Sequence, residues 1–190
     1  MTYIVIALKA EAQAFVEYFK LTQKKQSLNN YTFYETDDFR LIVSGIGIEN
    51  ARLATQTLIN YFDITEEDRY CNIGVCGASK EYAIGEVIVC GGVQHEGRSY
   101  VFDPNAPLVT CVDHAVAKEG SATIVDMESY GFYDAVVHNP AIQNFSIIKV
   151  VSDHFEPKSL SKDGVKILIL KQIDKIMLPL QSINAIVTSS

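Results

Sequence analysis

Residues 146–153 have the sequence SIIKVVSD, a run of mostly branched apolar side chains that ends in a serine and an aspartate. Apolar residues at consecutive positions are typical of a strand that is buried on both faces, as in a parallel or mixed sheet between helices. Similar runs, rich in valine and isoleucine, recur at 3–8, 41–44, 71–76, 86–90 and 108–112. The sequence therefore predicts six buried strands.

Helical patterns separate these runs. The clearest one, over 160–178, repeats apolar residues at intervals of three and four, and further helices are predicted over 10–20, 48–62 and 126–138. Strands that alternate with helices predict a three-layer α/β/α fold with a central mixed, largely parallel sheet. The length of 190 residues fits one domain over 1–190.

Two segments depart from this alternation. Residues 31–45, with Asp37 and Asp38 near the centre, are predicted to form a hairpin. Residues 95–108 (HEGRSYVFDPNAPL) contain Gly, Pro, Asn and Asp at a density typical of turns, which predicts a loop.

Composition narrows the class of partner. The formal net charge is −7 and no Lys/Arg-rich run occurs, which argues against nucleic acid or an anionic membrane as the partner. No apolar stretch reaches the roughly 18–20 residues of a membrane span, and YIVIAL at the start has no basic flank, so we expect a cytoplasmic protein. The four cysteines lie in or beside apolar runs without metal-ligand spacing, so we expect buried thiols, no disulfide and no metal.

Carboxylates stand at or just beyond the ends of several apolar runs: Glu11, Asp126, Glu128 and Asp153. Cleavage of the bond between a ribose and a nucleobase uses such a set. One carboxyl group protonates the leaving base, a second activates the attacking water, and a third binds the sugar hydroxyls and stabilises the positive charge that develops on the sugar. The pattern therefore favours glycosidic chemistry.

A glycine loop, VSGIGIENA at 43–51, follows one predicted strand and opens a predicted helix. Gly45 and Gly47 lack side chains, so backbone N–H groups there can approach an anion or a sugar closely. A dinucleotide fingerprint would need a third small residue where Asn50 stands and an acidic residue after a second strand, and a long helical pattern follows instead. The loop therefore argues against a dinucleotide site, and it fits either a loop that contacts an anion or sugar or a simple turn between strand and helix.

These carboxylates, together with GIGIENA at 45–51 and NIGVCGASKEYAIGEVIV at 72–89, resemble the purine nucleoside phosphorylase and nucleosidase family. The spacing is most similar to the methylthioadenosine/S-adenosylhomocysteine nucleosidase branch. The resemblance implies a nucleoside phosphorylase-like fold, a small nucleoside as ligand, no metal or organic cofactor, and a homodimer or larger homo-oligomer. It thins between Gly92 and Ile124 and after Pro157.

The resemblance also implies a role for each residue that matches the family motifs. Glu11 falls on the glutamate that activates water, and Met127 and Glu128 fall on the pair that binds the ribose. Asp153 falls on the aspartate that donates a proton toward N7 of a purine, and Ser152 supports it. One departure precedes Glu11, where this branch usually has further acids and this chain has Lys9 and Ala10.

The same resemblance bears on the nucleophile. A phosphorylase holds phosphate with arginine, whose planar fork matches phosphate oxygens. Asn72 and Val75 stand at the positions of the phosphorylase arginine and serine, and IVIALKAEA at 4–12 has no arginine, so hydrolysis is favoured. Phosphorolysis remains the alternative, because three arginines elsewhere are available to reach the site: Arg40, Arg52 and Arg98.

The residue that contacts the base is the least determined. The chain is short where the family carries a stacking aromatic residue, and His114 lies beside the matching position, Ala115. His114 is therefore a candidate for binding the base, with four rings as alternatives: Tyr100, Phe102, Tyr130 and Phe155.

Two other classes of protein fit parts of the pattern. A nucleoside-binding relative without catalytic activity would bind ligand and release no base. A flavodoxin-like module that shares only the alternation of strands and helices would not bring Glu11, Glu128 and Asp153 together.

Overall fold

A mixed β-sheet between two pairs of helices organises the chain, and the computed structural model describes residues 1–23, 28, 30–116, 120, 122–156 and 161–181. The strands within these ranges are β1 (Thr2–Ile6), β2 (Thr22–Gln23), β3 (Thr32–Glu35), β4 (Phe39–Val43), β5 (Arg69–Ala78), β6 (Val87–Cys90), β7 (Gly92–His95), β8 (Arg98–Val101), β9 (Leu108–Cys111), β10 (Ile124–Asp126) and β11 (Asn144–Asp153). The helices are α1 (Lys9–Phe19), α2 (Ile48–Tyr61), α3 (Ser129–Val137) and α4 (Lys162–Gln181).

The centre of the sheet is parallel. β5 pairs in parallel with β1 and with β11, and β1 pairs in parallel with β4. Antiparallel pairs extend this centre at β2–β3, β3–β4 and β6–β11, while β10 joins the end of β5 antiparallel and continues through β9 and β7 to β8. The predicted mixed sheet is confirmed.

Each face of the sheet carries one pair of helices. Side chains of a strand point alternately to the two faces, and in β1 Ile4 packs with Phe15 of α1 and Ile173 of α4, whereas Val5 belongs to the cluster that contains Leu58 of α2 and Phe132 of α3. The predicted α/β/α layers are therefore confirmed.

The six predicted strands and four predicted helices all occur, with shifts at their ends. The third helix begins at Ser129 rather than at 126, because Ile124–Asp126 pair with β5 and β9 as β10. Leu160, the predicted first residue of the last helix, lies outside the described residues, and α4 is described from Lys162.

The two segments outside the alternation have different outcomes. Residues 31–45 contain the predicted hairpin, with β3 antiparallel to β4. The prediction of a loop over 95–108 is wrong for its first part, because β8 pairs antiparallel with β7. Glu96 and Gly97, with φ of 47° and 75°, form a two-residue turn between the paired residues His95 and Arg98.

Two further expectations concern membrane-spanning segments and the state of the cysteines. None of the helices in the described ranges is long and apolar enough to cross a membrane. All four cysteines are free thiols that are buried in the core.

Candidate active site

A cavity of about 510 Å³ opens beside the ends of β5, β10 and β11. Its buried lining residues include Glu11, Asp126, Glu128 and Ser152, which we call the floor. Its exposed lining residues are Lys9, Ile46, Ala115, Ser161 and Lys162, which we call the rim. Met127 and Asp153 also line the cavity, at intermediate exposure.

The topology explains why residues distant in sequence meet here. β5 and β11 run parallel, so their final residues lie side by side and place Ser152 and Asp153 next to Cys76 and Gly77. β10 pairs with Gly77 and Ala78, and the chain continues from it into the cavity lining. The clustering of Glu11, Glu128 and Asp153 in one cavity excludes the class of module that shares only the rhythm of strands and helices.

Glu11 is 2% exposed and lies in the first turn of α1. One carboxylate oxygen accepts the N–H of Leu8 at 2.8 Å, and the other accepts the N–H of Val75 at 2.8 Å. Burial raises the pKa of Glu11 to about 7; these two hydrogen bonds oppose the rise, and the charge of Glu128 adds to it. A carboxylate with this pKa can accept a proton from water near neutral pH.

Glu128 connects the cavity to the glycine loop. Its Oε1 accepts the N–H of Gly47 at 2.9 Å, and Gly47 has a φ of 105°, a conformation that L side chains rarely adopt. The backbone of Met127 also hydrogen-bonds to this carboxylate. Because each carboxylate oxygen carries two lone pairs, the group keeps the capacity to accept a ligand hydroxyl. Burial is the main reason that the pKa of Glu128 is raised, and the negative charge of Asp126 raises it further. The positive charge of Lys149 opposes the rise.

The two loop glycines serve the architecture of the floor. The N–H of Gly45 donates to the carbonyl of Ala7 at 3.1 Å, and the N–H of Gly47 is engaged by Glu128. Both predicted ligand donors are thus occupied by protein acceptors, and between them Ile46 presents its side chain to the rim.

Lys149 is a residue of the site that the sequence reasoning missed. It is 1% exposed, and its Nζ lies 2.6 Å from Asp126 Oδ2 and 2.7 Å from Asn72 Oδ1. Burial alone would lower the pKa of Lys149, but the charges of Asp126 and Glu128 outweigh burial and raise the pKa above its ordinary value. The signal was available, because Lys149 is the one charged residue inside the apolar run IIKVV.

The buried lysine sits in a closed network. Ser129 donates to Asp126 through both its hydroxyl, at 2.6 Å, and its N–H, at 2.9 Å. Asn72 donates its amide to the carbonyl of Val5 at 3.2 Å. Asn72 is therefore committed to holding Lys149 beneath the floor.

Ser152 and Asp153 form a hydrogen-bonded pair at the end of β11. The hydroxyl oxygen of Ser152 lies 2.7 Å from Asp153 Oδ2 and 3.0 Å from the carbonyl oxygen of Cys76, so its single proton is shared between these two acceptors. Asp153 Oδ1 accepts the N–H of Glu156 at 2.8 Å. These contacts fix the Asp153 carboxyl group at the cavity wall.

The region predicted to bind the base is aliphatic. His114 is exposed and does not line the cavity, whereas its neighbours Val112, Ala115 and Val116 do. None of the four alternative rings lines it, and within the described ranges no aromatic residue does. The aliphatic wall supplies apolar contact without stacking.

The described residues provide neither an arginine at the cavity nor a cluster of metal ligands. No arginine lines the cavity; Arg40 packs 3.9 Å from the Phe62 ring centre, and Arg52 pairs with Glu49 at 2.6 Å. Among the described residues, no three His, Cys, Asp or Glu side chains are grouped as a metal site requires.

No protein-family model matches the chain, and no curated protein sequence matches it. Solved structures match its fold. The 5′-methylthioadenosine/S-adenosylhomocysteine nucleosidase of Helicobacter pylori, in a complex with butyl-thio-DADMe-Immucillin-A, has a TM-score of 0.74 at 15% identity over 93% of this chain and 97% of that one.

Two further structures give similar values. The 5′-methylthioadenosine nucleosidase of Arabidopsis thaliana has a TM-score of 0.72 at 18% identity and covers 95% of this chain and 96% of its own. The futalosine hydrolase of Helicobacter pylori has a TM-score of 0.72 at 16% identity, with 94% and 97% covered. The chain therefore has the nucleoside phosphorylase-like fold that the sequence resemblance implied.

Proposed function

We propose that this protein hydrolyses the N-glycosidic bond of a purine nucleoside or of an adenosine modified at its 5′ position. The observation that carries the proposal is Glu11, a buried carboxylate with a pKa raised to about 7 that shares one cavity with Glu128 and Asp153. The likeness in fold to structures named as nucleosidases supports the same activity.

In the proposed reaction Glu11 accepts a proton from water while the water oxygen bonds to C1′ of the ribose. The bond from C1′ to the base nitrogen breaks, and Asp153, oriented by Ser152, donates a proton to the base. The carboxylate of Glu128 accepts a hydrogen bond from a ribose hydroxyl, and its charge stabilises the oxocarbenium-like centre. The products are the free base and the free sugar, which is ribose for a plain nucleoside and the correspondingly 5-substituted ribose for a 5′-modified one, with one water consumed.

Water is the proposed nucleophile rather than phosphate. A phosphate dianion attacking C1′ from the side of Glu11 would face the charges of Glu11 and Glu128. The cation beneath the floor, Lys149, is already paired with Asp126 at 2.6 Å. Hydrolysis therefore costs less electrostatic free energy in this cavity.

The test is release of base from 5′-methylthioadenosine, adenosine and inosine, measured with and without phosphate. We expect free base and the free sugar (ribose, or 5-methylthioribose from 5′-methylthioadenosine) at a rate that does not depend on phosphate. In Asp153→Asn the rate should be lower on the order of 10²- to 10⁴-fold. A sugar 1-phosphate as the product (ribose 1-phosphate, or its 5-methylthio counterpart from 5′-methylthioadenosine) would refute hydrolysis.

A binding protein without catalytic activity is the second candidate, and the aliphatic base wall favours it because stacking is missing there. That function predicts a higher Tm with nucleoside and no free base. The same samples distinguish the two, since heating curves report binding and chromatography reports turnover.

The proposal also covers the setting of the enzyme: one domain over 1–190, in the cytoplasm, assembled as a homodimer or larger homo-oligomer. The four buried free cysteines support a reducing compartment. Leu53 on α2 is 42% exposed, which supports burial of this part of α2 against a second copy. Native mass spectrometry tests the assembly.

A further inference from the structure

The rim of the cavity carries two cations. Lys9 is the first residue of α1 and Lys162 is the first residue of α4, and both are exposed. Every other charged residue of the described lining is an acid at lower exposure than these lysines: Glu11, Asp126, Glu128 and Asp153. The charge of the cavity thus changes sign between floor and rim.

Neither rim lysine has an ion-pair or hydrogen-bond partner among the described residues, in contrast to cations nearby. Lys166, one turn further along α4, pairs with Glu17 at 2.9 Å. Lys149 pairs with Asp126 beneath the floor. Asp163 is the acid next to Lys162 in sequence, and it does not line the cavity.

Under the proposed function, the acidic residues of the lining contact the base, the ribose hydroxyls and the attacking water. Asp153 protonates the base, Glu128 binds the ribose hydroxyls, and Glu11 accepts a proton from the water. In a β-nucleoside the base and C5′ project from the same face of the ribose, opposite to the 2′- and 3′-hydroxyls. On this assignment the substituent at C5′ extends away from Glu128. The charged residues of the described lining that have neither a protein partner nor an assigned role are Lys9 and Lys162.

We infer that the 5′ substituent of the substrate carries an anionic group, a carboxylate or a phosphate, which Lys9 and Lys162 bind at the rim. The inference rests on the proposed nucleosidase function and adds the chemical class of the substituent. Exposed lysines attract an anion with modest strength and in a way that salt weakens. The lysines therefore select among nucleosides and take no part in bond cleavage.

The experiment compares two substrates that differ only in charge: 5′-deoxy-5′-(2-carboxyethylthio)adenosine and its carboxamide. We expect kcat/KM to be about three- to tenfold higher for the carboxylate at low ionic strength. The preference should approach one in Lys9→Gln/Lys162→Gln and in high salt. Lys171→Gln is the matched control, since Lys171 is an exposed lysine of α4 that does not line the cavity.

Two results separate this inference from the proposed function. Cleavage of both compounds at equal kcat/KM overturns the anionic substituent and leaves the nucleosidase intact. If neither compound is cleaved, the nucleosidase fails, and calorimetric Kd values then decide: tighter carboxylate binding that is lost in the double variant supports the rim site, and equal Kd values overturn it.

Inorganic phosphate is a second anion that these lysines would attract. At constant ionic strength, an anionic 5′ substituent predicts that phosphate competes with the carboxylate compound and spares the carboxamide. Acceleration of both compounds by phosphate, with a sugar phosphate as product, would instead assign the lysines to a phosphate co-substrate and overturn the inference.

Discussion

The floor and the rim of the cavity present charge in opposite ways. On the floor, Glu11, Asp126 and Glu128 are all less than 9% exposed, and each is held by hydrogen bonds from the backbone or from another side chain. At the rim, Lys9 and Lys162 are exposed and without partners among the described residues. Fixed, desolvated charges suit bond cleavage, whereas hydrated, movable charges suit selection of a substituent.

The largest expected effect is on turnover when the floor loses its base. Glu11→Gln keeps the shape of the side chain but cannot accept a proton, so kcat should fall on the order of 10²- to 10⁴-fold. Glu128→Gln should instead weaken ligand binding and transition-state stabilisation together. Steady-state kinetics with 5′-methylthioadenosine checks both, and Glu17→Gln on the outer part of α1 is the control. Equal losses confined to KM in both variants would contradict the division of roles.

Removing the buried lysine should produce the next largest effect, on stability. Lys149→Met leaves Asp126 buried without its cation, which costs about 3–5 kcal/mol in the free energy of unfolding. Lys149→Met/Asp126→Asn should recover part of this loss, because the second change removes the unpaired charge.

Urea denaturation measures these variants, and Lys166→Met, which breaks the exposed pair with Glu17, is the control with a much smaller effect. A single Lys149→Met variant as stable as the wild type would show that Asp126 is not charged in the folded protein.

A smaller effect concerns the pH dependence of stability, which should reflect the buried Glu11 of the floor. Glu11 has an ordinary pKa of 4.5 and a folded pKa of about 7. Between these values the folded protein binds more protons than the unfolded chain, so the free energy of unfolding falls as pH rises, by about 3 kcal/mol for this residue. The contribution is present at low pH and is lost as pH rises toward about 7.

Urea denaturation between about pH 5 and pH 8 measures this slope. The slope should be shallower in Glu11→Gln and unchanged in Glu17→Gln. In the same range, kcat/KM of the wild type should rise with pH until Glu11 is ionised, at about 7. A stability slope that Glu11→Gln leaves intact would place the titration elsewhere.

The sequence predicted the floor better than the contacts beneath it. Apolar runs that end in carboxylates are visible without coordinates, because strand ends and side-chain chemistry are both local properties. The ion pair of Lys149 with Asp126 depends on how β10, β5 and β11 align, which no local pattern encodes. β8 was missed for a related reason: Glu96–Gly97 was counted with the turn residues that follow, although it closes a hairpin of its own.

The smallest expected effect belongs to His114, where the sequence and the structure differ. The sequence made it a candidate for binding the base, whereas the structure places it exposed and off the cavity lining, beside Ala115. An exposed side chain outside the cavity lining contributes little, so kcat/KM of His114→Ala should stay within about twofold of the wild type. Ala115→Asp, one residue along and at the rim, introduces a negative charge and should weaken the carboxylate nucleoside more than its carboxamide. A tenfold or greater loss of kcat/KM in His114→Ala, together with no change in Ala115→Asp, would contradict this prediction. It would show that His114, rather than the aliphatic residues, contacts the base.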